Sequence, residues 1–499
     1  MTPNDANDAR LLRSVRPADW VNPTPKERYH LVVIGAGTAG LVSAAGAATL
    51  GAKVALIERR YLGGDCLNFG CVPSKALLRA GRAVADVRRS AEFGVEIVGD
   101  VRVNFAAIMD RMRRLRADIS PNDSVQRFRD LGVDVFLGDA RFTGSDSIAV
   151  AEQTLRFARA IIATGTRPML PAIPGLNEAG VLTNETIFNL TTLPASLAVI
   201  GAGPIGCELA QAFARFGSRV TLIGNHSHVL PREDVAASEI LAKHLERDGV
   251  ELLLDARIDA IESTDAAAKI VRVYHRGERV ITADAILVAA GRVPNVEGLD
   301  LGTAGIQFDP KAGVIVDDRL RTTNARVYAA GDICSRFKFT HAADAYARIA
   351  VRNALFLGRA KASDLVIPWC TYTDPEVSQV GLTEAEALAR GIAVDVFTQP
   401  FTHIDRAILD GDTDGFAKVL VRKGSDAIIG ATIVSRHAGD MIGEVALAMT
   451  GKLGLKAIAN TVHPYPTHAE ALRKLGDAHN RTRLTPTVRW LFQKWFAWT

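Results

Sequence analysis

Cysteine is scarce in this chain, with five residues among 499. That is too few for a disulfide-stapled scaffold, so a close pair of thiols is a candidate for chemistry rather than architecture. An excess of charge of one sign is also missing. A net charge of +4, with no arginine-rich or zinc-spaced segment, argues against a nucleic-acid partner. No stretch approaches the roughly 20 apolar residues of a membrane span. The first thirty residues, with Asp5, Asp8, Pro17 and Asp19, lack the apolar run of a signal peptide, so residues 1–29 read as a polar leader and the protein as cytoplasmic. What is present is ordinary for a soluble protein: 48% hydrophobic and 23% charged residues, in a chain long enough for two to four domains. Glycine, at 42 residues, points to turns and phosphate loops.

Two segments share one plan. "HLVVIGAGTAGLVSAAGAATLGAKVALIE" and "LAVIGAGPIGCELAQAFARFGSRVTLIG" each read as strand, glycine turn, helix and strand, with the helices closing at Gly51 and Gly217. Gly35, Gly37 and Gly40 form GxGxxG directly after a strand. The first glycine allows the turn, the second admits a pyrophosphate to the backbone, and the third brings helix and sheet together. Glu58 ends the next strand, where it can accept hydrogen bonds from an adenosine ribose. Gly201, Gly203 and Gly206 repeat the pattern, but the acid position is Gly224, followed by Asn225, His226, His228 and Arg232. A carboxylate there would grip the ribose diol of NADH and repel a 2′-phosphate. Its absence favours NADPH, with NADH also possible.

Cys66 and Cys71 stand five positions apart in "GGDCLNFGCVPSKALLRA". The segment "CVPSKALL" predicts a helix whose N-terminus faces Cys71, a setting that favours thiolate. Further along, the spacing predicts a charged helical segment over Arg111–Arg129, strands ending in glycine at "IIATGTRP", "ILVAAGRVPN" and "VYAAGDI", and an antiparallel pair around Lys423, Gly424 and Ser425.

These motifs together resemble the FAD-dependent pyridine nucleotide–disulfide oxidoreductases, the family of glutathione reductase, dihydrolipoamide dehydrogenase and mercuric reductase. The resemblance covers residues from about His30 to Asp477. It implies two doubly wound, Rossmann-like α/β domains plus a C-terminal α+β dimerisation domain. FAD binding is expected over 30–180 and 288–365, nicotinamide binding over 181–287, and the interface over 366–478. It implies that Cys71 is the thiol beside the flavin and Cys66 the outer thiol that exchanges with substrate. Lys75 should pair with Glu208, and Asp332 should bond to the flavin-side ribityl or phosphate region. Gly64, Thr164, Gly165, Gly291 and Gly331 complete the expected cofactor set, and no metal-ligating set is expected.

In the same family the segment matching "HPYPTHAE" carries a histidine base, oriented by a glutamate and supplied by the other subunit. Here Tyr465 takes that place, while Glu470 is retained and His463 and His468, two before and three after it, are candidates to substitute for the base. The resemblance therefore implies a homodimer in which the Tyr465 region reaches the partner's outer thiol. A tyrosine, with an ordinary pKa of ~10, is a hydrogen-bond donor rather than a base at neutral pH. Tyr465 and "LPRED" resemble mercuric reductases, but no cysteine pair follows to deliver a metal ion. The expected acceptor is a small disulfide or a soft metal ion. The alternatives are an NAD-dependent dihydrolipoamide dehydrogenase-type enzyme and a flavoprotein redox sensor without turnover.

The tail, residues 479–499, holds three of the five tryptophans beside Arg489 and Lys494. Docking of residues 485–499 on a membrane surface or a partner, or packing across the dimer, are the expectations it raises.

Overall fold

A computed structural model describes residues 5–263, 268–356 and 358–499. The chain divides into two compact units. The first takes in residues up to 201, 212–220 and 257–365, and the second 202–211, 221–256 and 366–499.

In the first unit, the apolar run Tyr29–Ile34 (β1) is buried at nearly every position, as a parallel strand covered on both faces must be. It pairs in parallel with Val54–Glu58 (β2) on one side and with Gln153–Ile162 (β6) on the other. Asp134–Leu137 (β3), Ala140–Gly144 (β4) and Ser147–Val150 (β5) complete a sheet of order β3-β2-β1-β6-β5-β4, and Val327–Ala329 also pairs with β6. Tyr29, Phe136, Phe142 and Phe157 fill the core below it through edge-to-face ring contacts. The connection from β1 to β2 is helix α2, Thr38–Thr49. Farther along, Ser196–Ile200 pairs in parallel with Ala285–Val288, and Arg257–Ser263, Lys269–Tyr274 and Glu278–Ala283 form an antiparallel three-stranded sheet.

Two expectations gain detail here. The segment expected to be a polar leader contains a packed helix. Helix α1, Ala6–Val15, buries Asp8, Leu11 and Val15, a spacing that makes one helical face. The stretch Arg111–Arg129 is not one helix. It splits into α5, Phe105–Ile119, and α6, Val125–Asp130, around a tight turn at Ser120–Asp123. Pro121 cannot continue an α-helical hydrogen-bond ladder, and the Ser124 side chain accepts from Arg127 N–H to start the next helix.

In the second unit, five antiparallel strands take the order 368–371, 376–381, 428–435, 416–422, 394–400. The expected turn is present, with Gly424 at φ +73°. Helices Ala438–Thr450 and Glu470–Thr482 close a core around Phe401, Val419, Ile433 and Leu475. The last of these helices runs past 478, so the expected end of the domain falls inside it. Thr485 then caps a separate helix, Pro486–Phe496, none of whose side chains is buried. Among the described residues, no helix is long and apolar enough to cross a membrane.

Candidate active site

The first glycine turn is built by close approach. Gly35 has φ +98°, and a Cβ there would stand 2.5 Å from the Ala163 carbonyl oxygen. A Cβ on Gly40 would meet the Gly35 carbonyl, and one on Gly64 would lie 2.6 Å from Gly37 Cα. Gly331, at φ +83°, brings the loop carrying Asp332 to within 3.1 Å of Ala39 in the same terms. Side chains at these glycines would fill a cradle around the start of α2, whose leading N–H groups have no side-chain cap. Such a helix end is suited to phosphate. Glu58 is buried at the end of β2, with one carboxylate oxygen accepting from Ala36 N–H at 2.7 Å and the other from Arg60 N–H at 2.6 Å. Burial pushes its carboxyl up, against the pull of those two N–H groups and of Arg59 and Arg16. The donor set fits FAD: amides for phosphate, and a carboxylate with lone pairs left for a ribose diol.

Cys66 lies in the short helix α3, Gly64–Phe69, and Cys71 opens helix α4, Cys71–Arg88, with Lys75 one turn on. Both thiols are free, Cys71 exposed and Cys66 half-buried. A hydrogen bond from Cys66 draws the Cys71 thiol down to about 6, with help from Thr340 and Lys75 and against burial and Asp65. The same bond, together with burial, pushes the Cys66 thiol far above the ordinary thiol range. The shared bond therefore favours the anion on Cys71 and the neutral thiol on Cys66. Thr340, the first residue of helix Thr340–Leu355, places its hydroxyl 3.3 Å from the Cys71 sulfur.

Residues around "HPYPTHAE" are engaged within their own unit. Tyr465 is exposed and donates to Asp405 at 2.7 Å, and this bond raises its pKa. It is a donor, not a base. Glu470 bonds Arg473 at 3.1 Å, so the tyrosine's hydrogen-bond partner is Asp405 rather than the retained glutamate. His463 meets the Thr461 carbonyl with one ring nitrogen and Glu444 with the other, while His468 is buried against Asp410.

The model for pyridine nucleotide-disulphide oxidoreductases matches residues 29–347, and that for the family's dimerisation domain matches 367–475. The chain belongs to this family. It is 34% identical to a mercuric reductase of Bacillus cereus over 94% of this chain and 74% of that one. It is 35% identical to a dihydrolipoyl dehydrogenase of Staphylococcus aureus over 88% and 94% of the respective chains. Among solved structures, the HOCl-induced flavoprotein disulfide reductase RclA from Escherichia coli superposes with a TM-score of 0.80 at 30% identity, covering 90% of this chain and 99% of that one. As a pyridine nucleotide-disulphide oxidoreductase, the protein uses FAD and NAD(P)H, and its dimerisation domain supports a homodimer.

In this oxidoreductase, side chains with no sequence signature of their own surround the two cysteines. Asp65 bonds Asn184 at 3.0 Å and pairs with Arg292 at 3.3 Å. Arg292 in turn donates to Thr166, whose hydroxyl donates to Asp332 at 3.0 Å. Burial pushes the Asp332 carboxyl up, while Arg292, Thr166 and Lys338 oppose it. Thr164 and Gly165 are held by Asn295, which bonds the Thr164 and Gly165 backbones. Gly291, at φ +130°, turns the strand end beside Met169. Only Thr340 had a readable signal, as a hydroxyl residue at a helix start. Its neighbour His341 is exposed and stacks on Phe339.

At the second turn, Gly201 has φ +113° and a Cβ there would lie 2.5 Å from the Ala289 carbonyl oxygen. A Cβ at Gly224 would come 2.8 Å from Ala202 Cβ, so packing accounts for the missing acid whatever the nucleotide. Asn225, His226 and Arg232 are exposed beyond it. Glu208, in helix Pro204–Phe216, is buried and accepts from Tyr372 N–H at 2.8 Å. Among the described residues, no group of three or more His, Cys, Asp or Glu side chains is placed to hold a metal.

Two outcomes follow. Gly35→Ala should lower the FAD content of the purified protein several-fold by flavin absorbance, whereas Gly46→Ala, where a Cβ meets nothing within 4 Å, should leave it unchanged. Thr340→Val removes a hydrogen bond to the Cys71 sulfur. Because that bond favours the charged form, its loss should move the Cys71 thiolate midpoint upward from about 6, by about one to two pH units in an alkylation-rate titration.

Proposed function

We propose that the enzyme reduces a low-molecular-weight disulfide with NADPH as the electron source. The carrying observation is the polarised sulfur pair, with Cys71 as thiolate held by Thr340 and Cys66 keeping the proton. The glycine cradle, Glu58 and Asp332 hold FAD, and when bound it relays two electrons from the nicotinamide to the Cys66–Cys71 disulfide. In the reduced pair, transfer of the shared proton from Cys66 to Cys71 frees the Cys66 thiolate without a histidine. Cys66 then attacks one sulfur of the acceptor, and the first thiolate leaves and takes up a proton. The Cys71 sulfur, losing its proton, attacks the mixed disulfide, so the second thiolate departs and Cys66–Cys71 is disulfide again. Tyr465, contributed across the dimer, donates a hydrogen bond to the departing thiolate. Lys75 and Glu208 are read as the charged pair that steadies the reduced state. The donor-rich run Asn225, His226, His228 and Arg232 supports NADPH, a weaker basis now that Gly224 has a packing cause.

A second reading, reduction of a soft metal ion, is favoured by Tyr465 in the base position and by likeness to mercuric reductases. A dihydrolipoamide dehydrogenase-type activity has the comparable likeness of the S. aureus enzyme in its favour and the missing histidine against it. Stopped-flow reoxidation of the reduced enzyme by glutathione-type disulfides, lipoamide, Hg(II) and Cu(II), after reduction by NADPH or NADH, separates these. The proposal expects fastest turnover with NADPH and a small disulfide, abolished by Cys66→Ser with FAD retained. Fastest turnover with a metal ion would transfer the assignment to the second reading. Negligible turnover with every acceptor would leave a flavoprotein sensor.

The helix Pro486–Phe496 is read as a contact for an anionic lipid surface. Val488, Leu491, Phe492 and Trp495 share one face, Val488 half-buried and the other three exposed, and no acid follows Asp477 while Arg481, Arg483, Arg489 and Lys494 do. The full chain should sediment with phosphatidylglycerol vesicles and not with phosphatidylcholine vesicles, and removal of residues 485–499 should end this. Loss of the dimer on truncation would instead place the helix across the subunit interface.

A further inference from the structure

The turn between the two cysteines is tied to the N-terminal helix through a buried charge. Arg116, in α5, is 1% exposed, and its guanidinium donates to the Asn68 carbonyl at 2.9 Å and to Asp8 at 2.6 Å. Asn68 lies between Cys66 and Cys71, near the end of a six-residue helix whose last carbonyls have no partner within the helix. Asp8, on α1, is 2% exposed. A buried guanidinium without its counterion is strongly disfavoured, so the bond to Asn68 depends on Asp8. The same N-terminal segment grips the loop leading into the redox helix. Leu62 N–H donates to the Val15 carbonyl, and Arg16 donates to the Arg59 and Arg60 carbonyls just beyond Glu58.

We infer that residues 5–16 form a strap that positions the redox turn, with Asp8 and Arg116 acting as positioning residues for the Cys66–Cys71 couple. This rests on the reading of those cysteines as the redox pair. The physical basis is geometric. The Cys71 thiolate owes its low pKa first to a hydrogen bond from Cys66, five positions away across the turn that Arg116 holds. If the Asn68 carbonyl loses its donor, the turn relaxes, that bond lengthens and the thiolate is less favoured. The effect is specific to one of the two ion pairs made by the strap. Asp5 pairs with Arg113 at 2.5 Å on the same helical face of α5, and neither side chain is bonded to the turn between the cysteines.

The test is the pH dependence of iodoacetamide alkylation at Cys71 in the reduced holoenzyme, read by mass spectrometry. Asp8→Asn should raise the midpoint by about one pH unit, a ten-fold change in the thiolate ratio. Asp5→Asn should keep the wild-type midpoint. The double variant Asp8→Asn/Arg116→Met removes both buried charges while filling the space, and should show the raised midpoint with normal FAD content. An unshifted Asp8→Asn midpoint, an equal shift in Asp5→Asn, or a wild-type midpoint in the double variant would each overturn the strap. A wild-type enzyme with no thiolate at Cys71 below the ordinary thiol range would instead overturn the redox assignment itself.

Discussion

Two sulfurs five positions apart share a hydrogen bond, and the groups around them make the two ends of that bond unequal. Cys71 is favoured as the anion by the Cys66 hydrogen bond, by the hydroxyl of Thr340 and by the positive charge of Lys75. Thr340 also favours the Cys66 anion, but the hydrogen bond with Cys71 and then burial outweigh it and favour the neutral form. An asymmetric pair separates two tasks that one thiol could not perform together. At rest one sulfur is favoured as the anion and the other as the proton carrier.

The surrounding architecture explains how this asymmetry is fixed to a nucleotide site. Gly64 allows helix α3, which carries Cys66, to begin against Gly37 in the first glycine turn, and Gly331 brings the Asp332 loop against Ala39 at the start of α2. The glycine turn and the turn between the cysteines are thus packed against each other. The polar links through Asp65, Arg292 and Thr166 to Asp332 extend the same coupling along the site. The dimerisation domain carries Tyr465 as a hydrogen-bond donor to Asp405.

Much of this was legible in the sequence, because the glycine turns, Glu58 and the spacing of Cys66 and Cys71 are dictated by backbone geometry and leave local patterns. The parallel core strands were readable for the same reason. What was hidden depends on contacts distant along the chain. Asp8 looked like one acid in a polar leader, and only the fold brings it to Arg116, 108 positions away. Thr340 and Arg292 approach the cysteines from remote segments. Gly224 read as a statement about nucleotide choice, yet its lack of a side chain also answers to Ala202 across the turn. Pro121 was visible, but the hydrophobic and charge pattern on either side ran on through it. The glutamate of "HPYPTHAE" was readable as a residue, whereas the turn of Tyr465 toward Asp405 was not.

The most direct test of the unequal sharing is a carbon-13 NMR titration of the reduced holoenzyme labelled at cysteine Cβ, with signals assigned by single substitutions. The account predicts that Cys71 titrates near pH 6 while Cys66 stays protonated well above the ordinary thiol range. Two cysteines titrating together near ~8.5, the value of an unperturbed thiol, would contradict it.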